Sequence, residues 1–244
     1  MALLFFMSKL LAQDCSQYMY MQKNKTIEMT SFNDKGDVTF KSVTRVADVS
    51  TANGITTANV VAEAYDKNGK LINSSNVAYK CNGGVMMMDM SLNSQQQSQQ
   101  NVKMDIKVIS KDYMEFPAGI QVGDHLKDAT TQMESTMNNG TTVVTTIKIT
   151  DRMVEGKETV TTPAGSWDCF KITSKTTSST VFKGASADTI NNAMSAMDKL
   201  RAKLGKLGPK MPSNTSENTA WYMPGFGMVK YKGKTFVMEL TAIN

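Results

Sequence analysis

Apolar and polar residues alternate with a period of two along most of the chain. One predicted strand carries Val102, Met104, Ile106 and Val108 on the same face, and another carries Phe236, Met238, Leu240 and Ala242. This period indicates half-buried β-strands, because successive side chains of a strand point to opposite faces. About ten such runs with turn residues between them predict an all-β fold, an antiparallel sheet or barrel.

Short turns rich in Asn, Pro and Gly separate the predicted strands. Residues 33–36, 52–54 and 66–69 end in Gly after Asn, Asp or Lys, and Asn and Gly tolerate the positive φ of hairpin turns. Two later turns lie beside large aromatic residues, and we predict that they fix the strand register. These predicted structural positions are Pro163, Gly165, Trp167, Trp221, Pro224, Gly225 and Gly227.

One stretch follows a helical period instead. Apolar residues recur every three or four positions between 186 and 206, and Gly205, Gly208 and Pro209 end the pattern. This predicts one amphipathic helix in an insert at about residues 184–208. The helix either packs on the sheet with its charged face in water, or acts as a hinged lid or a membrane-surface element.

The first thirteen residues resemble the end of a secretory signal peptide. Residues 2–11 are mostly apolar, and a small residue, Ala12, stands near the expected cleavage site after position 12 or 13. The positive start is missing, so the signal is expected to be truncated; an apolar first strand or helix is the alternative. Asp14 disfavours lipid attachment at Cys15. We therefore predict one β-domain over residues 14–244 of a periplasmic, outer-surface or secreted protein, with no membrane span.

Charge and cysteine content add two constraints. The net charge is +5, but residues 183–210 contribute six cations and two acids, and the rest of the chain is nearly balanced. The basic character thus belongs to one segment and does not predict a nucleic-acid partner. In an oxidising compartment two of Cys15, Cys81 and Cys169 are expected to pair, and the sequence leaves the choice open.

Candidate catalytic chemistry is sparse. The chain has a single histidine, His125, next to Asp124 in a predicted loop. It has no glycine-rich phosphate loop that opens a helix, no Cys-x-x-Cys and no His-Glu-x-x-His. We therefore predict no catalytic residues, no cofactor and no metal site, and a protein that is not an enzyme.

Twenty methionines are the main anomaly of the composition. Thioethers suit Cu(I), but copper sites usually include His or Cys as well, so we favour a pliable apolar surface. Such a surface serves either a loosely filled core or a cavity for a lipid-like ligand. The predicted ligand-binding residues are Met86, Met88, Met90, Met104, Met194, Met197 and Leu200.

Four segments together resemble the TapB-like family of exported bacterial proteins of unknown function. The resemblance is carried by residues 14–18, 81–83, 162–172 and 221–230. It implies an exported, non-enzymatic β-protein with a strongly curved antiparallel sheet, like the half-barrels of lipoprotein carriers or lipocalins. The family supplies no catalytic residues to carry over, and this chain departs from its pattern in the insert and in a Gln-rich tract.

Two functional hypotheses follow. In the first, an exported binding protein holds a hydrophobic or lipid-like ligand in the concave face of the sheet, under the 186–206 helix. In the second, a structural or interaction module of the cell envelope has a filled core and docks a protein partner through strand edges or the basic helix. The volume enclosed by the sheet distinguishes them.

Overall fold

The computed structural model describes residues 14–90, 105–136, 142–183, 195 and 214–244. Two short 3-10 turns, Cys15–Gln17 and Met19–Met21, precede thirteen strands within these ranges. The strands are β1 (Thr26–Asn33), β2 (Val38–Ala52), β3 (Ile55–Asp66), β4 (Leu71–Asn82), β5 (Val85–Asp89), β6 (Asp105–Lys111), β7 (Tyr113–Phe116), β8 (Ala129–Thr136), β9 (Thr142–Thr162), β10 (Gly165–Lys183), β11 (Asn214–Met223), β12 (Gly227–Lys232) and β13 (Phe236–Ile243).

All thirteen strands form one antiparallel sheet that is nearly closed into a barrel. The order is β6-β8-β9-β10-β11-β12-β13-β1-β2-β3-β4-β5-β7, so the two edge strands, β6 and β7, follow each other in the chain. Between them, the backbone N–H of Asp112 donates to the carbonyl of Thr130 in β8 at 2.8 Å. This bond extends the pairing of β6 with β8, and the two ends of the sheet lie together because only Asp112 separates β6 from β7.

The expected half-barrel of about ten strands was therefore an underestimate. Strands β5 and β7 have five and four residues, too few to show a clear period of two. Residues 115–124 contain Pro117, Gly119 and Gly123, which is typical of a connector, whereas Glu115 and Phe116 belong to β7. The all-β antiparallel architecture itself is confirmed.

Strand β9 contains an irregularity that interrupts its alternation of side chains. It runs for 21 residues, and its pairing with β10 is irregular between Thr173 and Lys175. Opposite this irregularity, Asp151 has a φ of +53°, as in a β-bulge. A bulge shifts the alternation of side chains without ending the strand, so the period of two breaks in the sequence while the strand continues.

The predicted helical insert is not confirmed. Residues 184–208 lie outside the described part of the chain except Ser195, which has a helical backbone. The predicted signal peptide at residues 1–13 also lies outside it. So do four predicted ligand-binding residues: Met104, Met194, Met197 and Leu200.

The first described residues pack inside the barrel. Tyr18, Tyr20 and Met21 are buried in its main core cluster. The Tyr18 hydroxyl donates to the carbonyl of Gly84 at 2.8 Å. A disulfide between Cys15 and Cys81 ties this N-terminal segment to β4.

The two Pro/Gly turns meet in the same core. Pro163 and Ala164 connect β9 to β10, and residues 224–226 connect β11 to β12. The Trp167 ring packs on Phe226 with 5.0 Å between ring centroids, and its Nε1 donates to the Thr162 hydroxyl at 3.2 Å.

Gly227 and Trp221 lie on either side of the second turn. Gly227 has a φ of +132°, and a Cβ added there would lie 2.8 Å from Cε2 of Tyr20. Only a glycine therefore allows this close approach. On β11, Trp221 donates its Nε1 hydrogen to Glu158 and lies beneath the Lys230 ammonium.

Candidate functional site

A partly open cavity of about 420 Å³ lies within the curve of the sheet. Its lining comes from inward-facing side chains of strands on both sides of the sheet order, including β1, β2, β3, β9, β10 and β13. The volume falls within the roughly 300–1,000 Å³ of typical small-molecule sites. The cavity is therefore large enough for a ligand.

Methionines form much of the cavity lining. Six of them line it: Met29, Met88, Met90, Met114, Met228 and Met238. Their unbranched thioether chains adapt to irregular apolar shapes, which suits a flexible ligand. The sequence pattern singled out Met88 and Met90, and the other four lie on β1, β7, β12 and β13.

Three of the predicted ligand-binding residues, Met86, Met88 and Met90, lie on β5 or directly after it. Met88 and Met90 line the cavity, but Met86 is fully buried in the core and is not part of the lining. Asp89, which strand alternation places on the opposite face from Met88, is also part of the lining. Asp89 is the last residue of β5, so the period of two does not extend to Met90.

Aromatic side chains complete the apolar lining. They are Tyr20, Phe40, Tyr79, Phe116, Tyr231 and Phe236. Phe116 stacks on Tyr222 with ring centroids 4.7 Å apart and planes 11° apart. Tyr20 meets Tyr79 edge to face at 5.2 Å. These pairs fix the shape of the cavity more firmly than the methionines do.

Two acidic groups on the lining are paired with cations. Asp89 is 6 % exposed and forms an ion pair with Lys111. Glu63 accepts hydrogen bonds from Tyr65, at 2.7 Å, and from Arg45. The Tyr65 hydroxyl and then the Arg45 guanidinium lower the pKa of Glu63. Both acids therefore already have partners.

Arg152 is the charged group that sequence reasoning missed. It lines the cavity and is only 2 % exposed. The bulge at Asp151 turns this side chain inward, to the face that Ile149 also occupies. Its guanidinium donates to the carbonyls of Lys127, at 2.6 Å, and Glu115, at 3.0 Å.

No arrangement for nucleophilic or metal chemistry stands out among the described residues. They contain no group of three or more His, Cys, Asp or Glu side chains placed to hold a metal ion. His125 is exposed and meets Met153 only through a backbone bridge. Burial raises the pKa of the Cys169 thiol to about 12, which keeps it protonated.

Among the described residues, no helix has the length and apolar character needed to cross a bilayer.

Comparison with protein families identifies the chain. The DUF3108-like model matches residues 22–195, which is more than half of the sequence. The chain belongs to the DUF3108-like family. This match does not confirm the TapB-like resemblance, which stays a prediction. A comparison with curated proteins found no match.

Two crystal structures share the fold of this DUF3108-like protein. One, from Bacteroides fragilis, is described as an exported protein with a YmcC-like fold; it is 18 % identical, with a TM-score of 0.62 over 91 % of this chain and 96 % of that one. The other, described as a lipoprotein of Parabacteroides distasonis, is 17 % identical, with a TM-score of 0.66 over 95 % and 100 % of the two chains. At these identities the likeness concerns the fold alone.

Proposed function

We propose that this DUF3108-like protein is an exported, non-enzymatic binding protein that holds a hydrophobic ligand inside its barrel. The observation that carries the proposal is the cavity of about 420 Å³ with its lining of methionine and aromatic side chains. Burying apolar ligand surface there is favourable by roughly 25 cal/mol per Å². The proposal places the ligand inside the barrel and does not depend on the 186–206 helix.

Three observations support an exported location. Residues 1–13 have the pattern of a signal peptide. The disulfide between Cys15 and Cys81 suits an oxidising compartment. The two proteins of similar fold are described as exported or as a lipoprotein.

The interaction-module hypothesis predicted a filled interior. The cavity favours ligand carriage over that hypothesis, because a protein that only docks a partner has no need of a methionine-lined internal space. Partner docking through the edge strands β6 and β7 is the alternative that a failed binding experiment would leave.

The experiment titrates a fluorescent fatty acid into the purified protein and into two matched variants. Ala62 lines the cavity, so Ala62→Trp fills part of it and is expected to weaken binding at least about tenfold, a loss of roughly 1.4 kcal/mol. Ala47 is exposed on the neighbouring strand β2, so Ala47→Trp is expected to leave binding unchanged. Circular dichroism checks that both variants fold.

The outcomes separate clearly. Binding by the parent protein and by Ala47→Trp, with loss in Ala62→Trp, supports the proposal. A parent protein that binds no fluorescent fatty acid, and that carries no lipid by native mass spectrometry after mild release, overturns it. Equal binding by both variants would place the ligand outside the barrel.

A further inference from the structure

Arg152 is a buried cation whose two hydrogen bonds go to uncharged backbone carbonyls. A guanidinium has five N–H donors, and the described structure gives acceptors to two of them, the carbonyls of Lys127 and Glu115. The Phe116 ring lies 5.0 Å from the guanidinium carbon and covers one face. The side chain is also part of the cavity lining.

The positive charge of Arg152 also has no direct counter-charge. Among the described residues, no carboxylate lies within 4 Å of its guanidinium, and the nearest acids, Asp128 and Glu115, act on it only at longer range. The Glu115 carboxylate pairs with Lys127 instead, at 2.8 Å. Burial lowers the pKa of Arg152 to about 10, which still leaves it charged at neutral pH.

A buried charge without a counter-ion is costly, and such groups are usually paired or serve a ligand. The carbonyl acceptors offset only part of this cost, because they carry partial charges. The planar guanidinium matches carboxylate and phosphate oxygens, to which it donates two parallel hydrogen bonds. An anionic group brought into the cavity would supply the missing charge.

We propose that the cavity binds a single-chain amphiphile whose anionic group, a carboxylate or a phosphate, pairs with Arg152 while its acyl chain lies along the methionine lining. This inference rests on the proposed function and adds the ligand class. The volume of about 420 Å³ is near the lower end of the range for ligand sites, which favours one acyl chain over two.

The experiment compares an acid with its alcohol on the intact protein. Dodecanoic acid and dodecanol displace a neutral hydrophobic dye, N-phenyl-1-naphthylamine, at pH 8. The acid is expected to displace the dye at a concentration about 10- to 100-fold lower, because a charge-assisted hydrogen bond contributes only to the acid. Lauroyl lysophosphatidic acid in a third arm tells whether phosphate or carboxylate binds more tightly.

Two variants test the residue. Arg152→Gln is expected to reduce the preference for acid over alcohol to less than about threefold, because it keeps hydrogen-bond donors but removes the charge. Lys175→Gln is the matched control: Lys175 also carries a positive charge on this strand pair, but it faces outward and pairs with Asp151 at 2.9 Å. This control is expected to keep the full preference.

Each result decides the inference. Equal displacement by acid and alcohol in the parent protein overturns it and leaves the proposed function in place, whereas a parent protein that binds neither the dye nor the fluorescent fatty acid, and carries no lipid, overturns both. A purely structural Arg152 would lower the stability of Arg152→Gln without changing the preference. If Arg152→Gln does not fold, the parent comparison and the charge-retaining Arg152→Lys, which should keep part of the preference, decide in its place.

Discussion

Gly227 offers a sharp test of how the N-terminal segment packs inside the barrel. Its φ of +132° strains any other residue, and a Cβ there would overlap the Tyr20 ring at 2.8 Å. Gly165 provides a matched control, because its φ is +136° but the nearest atom to an added Cβ is 3.7 Å away. The two Gly→Ala changes therefore share the backbone cost and differ in the contact.

The structure gives the expected magnitudes. A non-glycine residue in this backbone region costs on the order of 1–3 kcal/mol, so the free energy of unfolding of Gly165→Ala should fall by that amount alone. Gly227→Ala should lose about 2 kcal/mol more, because overpacking a well-filled core typically costs 1–3 kcal/mol. For a domain of this size the extra loss lowers Tm by about 4–8 °C relative to Gly165→Ala.

Urea and thermal unfolding of both variants measure these losses, and a double-mutant cycle with Tyr20→Leu isolates the contact. Removing the ring relieves the overlap, so the losses of Gly227→Ala and Tyr20→Leu should be less than additive by about 1–2 kcal/mol. Equal losses for the two glycine variants, together with additive losses in the cycle, would refute the packing of Tyr20 against this turn.

Three further predictions concern the cysteines and one acid. Replacing Cys15 and Cys81 with Ser is expected to cost about 4 kcal/mol, from the loop entropy of a 66-residue separation, measured by urea unfolding. The buried Cys169 thiol, with a pKa raised to about 12, is expected to react with a thiol reagent slowly in the folded protein and as one thiol per chain after unfolding without reductant. The lowered pKa of Glu63 stabilises the fold above the unfolded pKa of about 4.5, so this contribution is lost as the pH falls through the folded pKa; Glu63→Gln should flatten the acid limb of the stability curve.

Controls make these three predictions decisive. Reduction of the parent protein should reproduce the loss of the double Cys→Ser variant, and three thiols in the unreduced, unfolded chain would contradict the disulfide. Rapid labelling of Cys169 in the folded state would contradict its burial. An acid limb for Glu63→Gln as steep as the parent's would show that its hydrogen bonds with Tyr65 and Arg45 do not contribute.

The sequence predicted the local features of the fold well, since they depend on neighbouring residues. The turn at Asn53 and Gly54 connects β2 to β3 where the pattern placed it, because these residues tolerate the positive φ that the structure shows. The Pro163 turn likewise connects β9 to β10. These turn residues determine the backbone conformation at their own positions, so a local sequence pattern is enough to predict the turn.

The candidate site was harder to predict because it depends on distant strands and on one bulge. Simple alternation from Ile149 would point Arg152 outward, and only the irregular pairing at Asp151 brings it into the cavity. Met228 and Met238 line the same space as Met88, yet nothing local in the sequence relates them. The closure of the sheet, which no local pattern encodes, creates the site.

The most direct test of ligand binding inside the barrel is native mass spectrometry of the protein after gentle release from its cell envelope. We expect each chain to carry one bound ligand, which fragments to an acyl chain with an acidic group. This ligand should be absent from Ala62→Trp. If the protein shows only the mass of the chain itself under the same conditions, and does not bind added dodecanoic acid, the central claim that the barrel holds a ligand is contradicted.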